Sequence, residues 1–289
     1  MLDSFWIMLT GGVIAVQCAL LGCFLVLRRM ALVGDAISHA VLPGIVLAYF
    51  LVGSRSNLLM LFGASVFGML STFLVEFFHQ KAKVQSDASI GIVFTFLFAL
   101  GVILISMYAG QIDLDQDCVL YGEIAYIPLD MVLLTDRLML PRALLINLAV
   151  LVFILVFIYL FYKELFLTTF DPAYAAVMGI GVSVWHYALM GVVSLSTVAA
   201  FESVGAILVV ALLIVPAATA YLLTKNFKKM LLIASSIGLL ISIGGYWLAH
   251  FTEGSIAGGM ASVAGILFAF AFILSPSEGY LWKLSKAAK

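Results

Sequence analysis

Apolar residues along the chain fall into nine long runs, at about 5–27, 31–52, 58–78, 88–109, 143–162, 178–199, 203–224, 230–250 and 257–275. Each is close to the roughly 20 residues a helix needs to cross a bilayer. The pattern predicts an all-α fold: a polytopic membrane helix bundle of about nine transmembrane helices. Together they form a single transmembrane domain over residues 1–289. Between the runs lie a long loop at about 110–141, a short helix at about 170–179 and a short C-terminal tail at about 276–289. The first run is too long for the apolar core of a signal peptide and has no small-residue cleavage site after it, so it is expected to be a retained span.

Composition agrees. The chain has 289 residues, 65% hydrophobic and only 10% charged, where a soluble domain carries about 25% charged residues. A disordered chain and a secreted disulfide scaffold are excluded. With a net charge of -1 there is no basic field to attract nucleic acid. Cys18, Cys23 and Cys118 are an odd set without regular spacing, which argues against a disulfide framework.

Charge sets the expected orientation. If Arg28 and Arg29 face the cytoplasm, alternating spans put Lys81, Lys83, Lys163, Lys225, Lys228, Lys229, Lys283, Lys286 and Lys289 on the same side. Only Arg55, Arg137 and Arg142 fall outside. This is the positive-inside bias, and it predicts an external N-terminus and a cytoplasmic C-terminus. Asp3, Asp113, Asp115, Asp117, Glu123, Asp130, Asp136, Glu202 and Glu253 gather on the outer side, which favours cations there.

Candidate chemistry centres on Leu27 to Gly44, LRRMALVGDAISHAVLPG. Asp35 and His39 are four apart and share one helix face. With the membrane boundary near Met30, the 1.5 Å rise puts Asp35 roughly 8 Å and His39 roughly 14 Å inside. An ionised Asp at a helix centre costs about 2.5–3.5 kcal/mol on insertion scales, so the charge needs a partner. A divalent metal or a proton supplies one, since carboxylate and imidazole are ordinary ligands for Mn, Fe or Zn. The alternative is a structural pair bonded to each other and to a neighbouring helix. Ser38 is expected near the same face, and Pro43 with Gly44 is expected to bend the helix.

Two ligands are too few for a complete site, so water, a second chain or another helix must add to them. His186, Glu202 and Glu123 are the candidates for the pathway or vestibule. His186, beside Trp185, also fits a packed histidine, and Glu202 is expected as a solvated carboxylate at an outer helix N-terminus. Asp113, Asp115 and Asp117 have the spacing that opens an EF-hand, but Cys118 replaces its glycine and Ile124 its last ligand, so no calcium loop is expected.

On the inner side, Asp171 followed by Pro172 reads as an N-cap and first helical residue. Ala173 to Met178 then forms a short helix that Gly179 ends, with Phe170, Tyr174 and Met178 exposed for a partner or for lipid. No Lys follows a Gly, and H-E-x-x-H is absent, so the chain carries neither a P-loop nor a zincin motif. It is expected to be a transport component without an ATPase site. Its rivals are a proton-coupled secondary transporter using Asp35 and His39 as a relay, and an intramembrane enzyme. The enzyme needs a second intramembrane acid, and none is expected.

Four stretches together resemble the membrane permeases of ABC-type manganese, zinc and iron importers, the ABC-3 metal permease family. They are Leu27 to Gly44, Asp115 to Ile124 (DQDCVLYGEI), Phe170 to Ile180 (FDPAYAAVMGI) and Val204 to Ala220 (VGAILVVALLIVPAATA), in the family's order and with similarity over nearly the whole chain. The resemblance implies a type II ABC importer-like permease in a bacterial inner (plasma) membrane. It implies ATP-binding partner subunits that hydrolyse ATP, an extracytoplasmic metal-binding protein, and a second permease copy, identical or a paralogue. It places metal contacts at Asp35 and His39. Phe170, Asp171, Pro172, Tyr174 and Gly179 would belong to a coupling helix docked on the ATPase, and Tyr121-Gly122-Glu123 would lie near the docked binding protein. No cofactor of its own is implied. The cargo would be Mn(II) first, then Fe(II) or Zn(II), and DQDCVLYGEI resembles the manganese/iron branch.

Overall fold

The computed structural model describes residues 2–52, 57–108, 124–135 and 138–275. In chain order the helices are α1 (Leu2–Leu27), α2 (Val33–Val52), α3 (Asn57–Lys81) and α4 (Ser86–Tyr108). A 3-10 turn follows at Ile124–Leu129, then a hairpin of β1 (Met131–Thr135) and β2 (Leu138–Pro141). The chain continues through α5 (Arg142–Leu160), α6 (Tyr162–Phe170), α7 (Pro172–Val177), α8 (Val182–Val204), α9 (Ala206–Leu223), α10 (Phe227–Thr252) and α11 (Ile256–Leu274). Among the described residues nine helices are long and apolar enough to cross a membrane: α1 to α5 and α8 to α11. The tail at 276–289 lies outside the described residues.

The bundle is organised around α1, which is 78% buried in its apolar window, while α4 and α11 are each only 22% buried. The first helix is therefore the centre and the last is rim. α1 packs with α9 and α10, on which α11 rests, in one group; α2, α3 and α4 form a second, and α8 touches both. The Arg28 turn joins the groups. Phe24 of α1 packs edge-on against Phe227 of α10 at 5.0 Å, near the end where Arg28, Arg29, Lys163, Lys225, Lys228 and Lys229 gather. We call this the basic end. At the other end, Tyr246 of α10 donates to the Ser4 hydroxyl at 2.7 Å.

Small residues set how closely the helices approach. A Cβ on Gly22 of α1 would run into the Leu213 carbonyl of α9. A Cβ on Gly44 of α2 would lie 2.5 Å from the Gly63 carbonyl of α3 and 2.9 Å from Phe67 Cβ. Backbone, rather than a movable side chain, fills that space. Gly44→Val is therefore expected to destabilise the detergent-solubilised protein by about 1–3 kcal/mol, the usual cost of overpacking. A thermal shift assay reads it, and an unchanged midpoint would contradict the close α2–α3 seam.

The antiparallel hairpin was not foreseen in the 110–141 loop. Met131 pairs with Pro141 and Val132 with Leu140, and the Arg142 N–H donates to the Asp130 carbonyl at 3.0 Å. The residues between α5 and α7 also hold more structure than expected: α6 is a separate helix, broken from α5 at Phe161.

Candidate functional site

Asp35 and His39 share a face of α2, as their spacing predicts. His39 Nε2 lies 3.5 Å from Asp35 Oδ1, and the side chains are 24% and 45% exposed respectively. The imidazole rests on α4, with ring centroids 4.9 Å from Phe94 and 5.7 Å from Phe98. Its position is thus fixed by aromatic packing on one side, while the carboxylate is open. Ser38 is buried and donates to the Gly34 carbonyl at 3.0 Å, so its hydroxyl is spent on its own helix.

Two features change the expected electrostatics. Asp35 lies in the first turn of α2, where unpaired N–H groups and the helix dipole stabilise a carboxylate by about 0.3–1 kcal/mol. Part of the charge is thus offset by backbone rather than by a guest. Pro43 lies within α2 and has no N–H, so the His39 carbonyl oxygen lacks its usual i+4 donor.

Among the described residues no three His, Cys, Asp or Glu side chains gather into a metal-sized group. Asp35 and His39 are thus a candidate donor pair, to which an ion would have to add further ligands. Cys18 and Cys23 are buried free thiols inside α1.

His186 does not join this pair. It belongs to a second polar cluster at the basic end. Arg28 donates from Nη1 to His186 Nδ1 at 3.4 Å. It also donates from Nε to Thr169 Oγ1 at 3.0 Å and from Nη2 to Thr168 Oγ1 at 3.0 Å. His186 Nε2 approaches Glu76 Oε2 at 3.2 Å, with side chains only 17% and 19% exposed. Nε2 makes no aligned hydrogen bond, so this contact is mainly electrostatic. Burial pulls the Arg28 guanidinium down to about 10, still charged at neutral pH. Glu76 corrects the expectation of no second intramembrane acid, since it lies inside the third span, Phe62–His79. Its place in Leu74-Val75-Glu76-Phe77-Phe78-His79 was the available signal, because an acid flanked by apolar residues on both sides needs a partner.

Glu202 is also displaced from expectation. It lies near the C-terminal end of α8, not at a helix N-terminus. With Asp130, Arg142, Asn147 and Ser203 it lines a cavity of about 170 Å³ away from the basic end. Beneath it, Gln17 donates to Asn147 at 2.9 Å and Asn147 to Ser203 at 3.2 Å. Glu123, Tyr121-Gly122 and the Asp113 to Asp117 triplet lie outside the described residues.

The short helix α7 forms as its residues predict. The Tyr174 N–H donates to Asp171 Oδ1 at 2.9 Å, with Pro172 in the first turn. At the other end Gly179 takes φ +79, while its N–H bonds Ala176 and that of Ile180 bonds Ala175. Phe170, Tyr174 and Met178 are about half exposed and Val177 is 85% exposed, so α7 presents an apolar face. The arm formed by α6 and α7 rests on α10 through Phe170 and Phe227, whose rings are 5.7 Å apart.

Comparison with known proteins fits this arrangement. The profile described as ABC 3 transport family matches residues 4–275. The chain is 47% identical to the manganese transport system membrane protein MntD of Bacillus subtilis (strain 168), over 96% of this chain and 94% of that protein. It is also 47% identical to the zinc transport system membrane protein TroD of Treponema pallidum (strain Nichols), over 94% of this chain and 74% of that protein. Among solved structures, PsaBC from Streptococcus pneumoniae in complex with Fab superposes with a TM-score of 0.80 at 35% identity, covering 97% of this chain and 94% of that one. A profile spanning the bundle, close relatives along nearly its full length and a shared fold together make this chain a member of the ABC 3 transport family, as one of its membrane permeases.

Proposed function

We propose that the chain is the membrane permease of an ATP-driven importer of divalent transition metals. Mn(II) is the favoured cargo, ahead of Fe(II) and Zn(II). The observation that carries this reading is the Asp35–His39 pair, a partly open carboxylate and imidazole on a helix inside the bundle. Relatives named for manganese and zinc transport support the metal. An oxygen and nitrogen donor set, with Cys18 and Cys23 buried elsewhere, suits these ions and disfavours Cu(I).

The basic end faces the cytoplasm in this reading, by the positive-inside rule. There α7 docks on an ATP-binding subunit. On the outer side a metal-binding protein delivers the ion toward the mouth of the bundle, where Glu202 and Asp130 attract cations. The ion passes Asp35 and His39, which replace part of its hydration shell, and alternating access releases it inward. Because the described residues bring no third such ligand to the pair, a second permease copy facing the open side of Asp35 completes the site. The bilayer is that of the bacterial plasma membrane.

The test is uptake of radioactive manganese by proteoliposomes holding the permease, its ATPase and its binding protein. Uptake is expected with ATP inside the ATPase compartment and to be at background without it. Manganese should outcompete zinc and iron. Uptake driven by a pH gradient alone would overturn the ATP-driven reading in favour of a proton-coupled transporter.

A further inference from the structure

The Arg28 cluster joins parts of the molecule that must move together if nucleotide-driven force at α7 is to reach the metal site. Arg28 stands in the turn between α1 and α2. Thr168 and Thr169 are on α6, one turn before α7, and each also bonds its own helix: Thr168 Oγ1 to the Glu164 carbonyl at 2.8 Å and Thr169 Oγ1 to the Leu165 carbonyl at 2.7 Å. His186 stands on α8 and Glu76 on α3. One guanidinium thus meets the arm on one side and α8 on the other, with α3 reached through His186.

The chemistry gives the contact a direction. Arginine has no acceptor, so Nδ1 of His186 must accept from Arg28, which leaves Nε2 carrying the proton toward Glu76. A neutral imidazole therefore lies between a cation and an anion, within 3.4 Å of one and 3.2 Å of the other. Each Arg28 contact uses a different nitrogen, so the guanidinium's planar fork, rather than charge alone, is needed to hold all three partners. With the cation this close to His186, the cluster repels a metal ion and is not a second cargo site.

The geometry also continues toward Asp35 and His39. A Cβ on Gly68 of α3 would meet Ile37 of α2 and the Ser194 hydroxyl of α8, so these three residues share one level. Glu76 and His186 each lie eight residues away from that level on their own helices, about 12 Å by helical rise. Ile37 lies between Asp35 and His39 in sequence and on the opposite face of α2, so α3 and α8 pack behind the pair. A displacement of α3 or α8 at the cluster therefore arrives, by way of rigid helices, at the back of α2, the helix that carries Asp35 and His39.

We propose that Arg28 is a positioning residue for transport: its guanidinium latches the α6–α7 arm to α8 and, through His186 and Glu76, to α3, passing motion of the arm to the helices that pack behind Asp35 and His39 on α2. The inference rests on the ATP-driven reading above. When the arm is pulled, the fork must either carry α3 and α8 with it or release them, so loss of the fork lets the arm move without the spans.

The test compares wild type, Arg28→Lys and the double variant Thr168→Val with Thr169→Val in the purified permease–ATPase complex, reconstituted with the binding protein. ATP hydrolysis and manganese uptake are measured on the same vesicles. In both variants hydrolysis is expected to continue while manganese moved per ATP falls by at least about fivefold, the low end of typical coupling between sites. Arg28→Lys keeps the charge and loses the fork, and the threonine variant keeps the arginine and loses its anchors. An unchanged ratio in both would overturn the latch. So would equal loss of hydrolysis and uptake together with the complex, which marks a merely structural cluster. A failure of the underlying reading shows separately, as a wild-type complex without ATP-dependent uptake.

Discussion

Asp35→Ala is expected to take manganese uptake to background while the permease still assembles with its ATPase. The carboxylate is nearly half exposed, so its removal opens no cavity. What is lost from the fold is one favourable charge in the first turn of α2, worth about 0.3–1 kcal/mol. What is lost from transport, in the proposed reading, is one of the two candidate ligands on this face of α2. Partners that merely orient metal ligands cost about 10–100-fold when removed, and a direct ligand costs no less. Asp35→Asn keeps the shape and the dipole-facing oxygen and loses the charge, so it is expected to retain a small residue of uptake. Uptake by the assembled complex, with co-purification of the ATPase as the control, reads both. Wild-type uptake by Asp35→Ala would make the pair structural.

Tyr174→Glu is expected to separate the permease from its ATPase. The α7 helix is held by its own cap and by the left-handed Gly179, so the side chain can change without unravelling the helix. Tyr174 is half exposed and stands on the apolar face with Met178 and Val177. A docked partner would bury that face, and a charge there would be desolvated without a counter-ion. Aromatic anchors in such interfaces are worth about 2 kcal/mol or more, roughly thirtyfold in affinity at 1.4 kcal/mol per tenfold. Pull-down of the ATPase against permease concentration measures it, and unchanged co-purification would refute the docking role.

The spans were legible because insertion in oil needs long apolar runs, and nothing else in the chain makes them. The α7 helix was legible because Asp171, Pro172 and Gly179 each have a local backbone reason for their positions. The Asp35–His39 pair followed from helical spacing alone. Contacts between distant segments were not legible. Glu76 and His186 meet across two spans, and neither shows its partner in its own neighbourhood. The end of α8 was misjudged because its apolar run fades before Glu202, while the helix continues to Val204. The hairpin at 131–141 lacks the Asn-Gly or Asp-Gly turn that marks tight hairpins. The depth of Asp35 was also read as a buried charge in mid-helix, whereas a helix start lies two residues before it.

The central place of α1 has a consequence for biogenesis. This helix leaves the ribosome before the other described helices, yet α10, which packs along it, is made long afterwards; Phe227 follows Leu27 by 200 residues. Gln17 waits for Asn147, and Ser4 for Tyr246, with only lipid or the insertion machinery as temporary company. The core thus closes late in synthesis, and a chain halted after α9 would leave its oldest segment stranded, open to quality-control proteases.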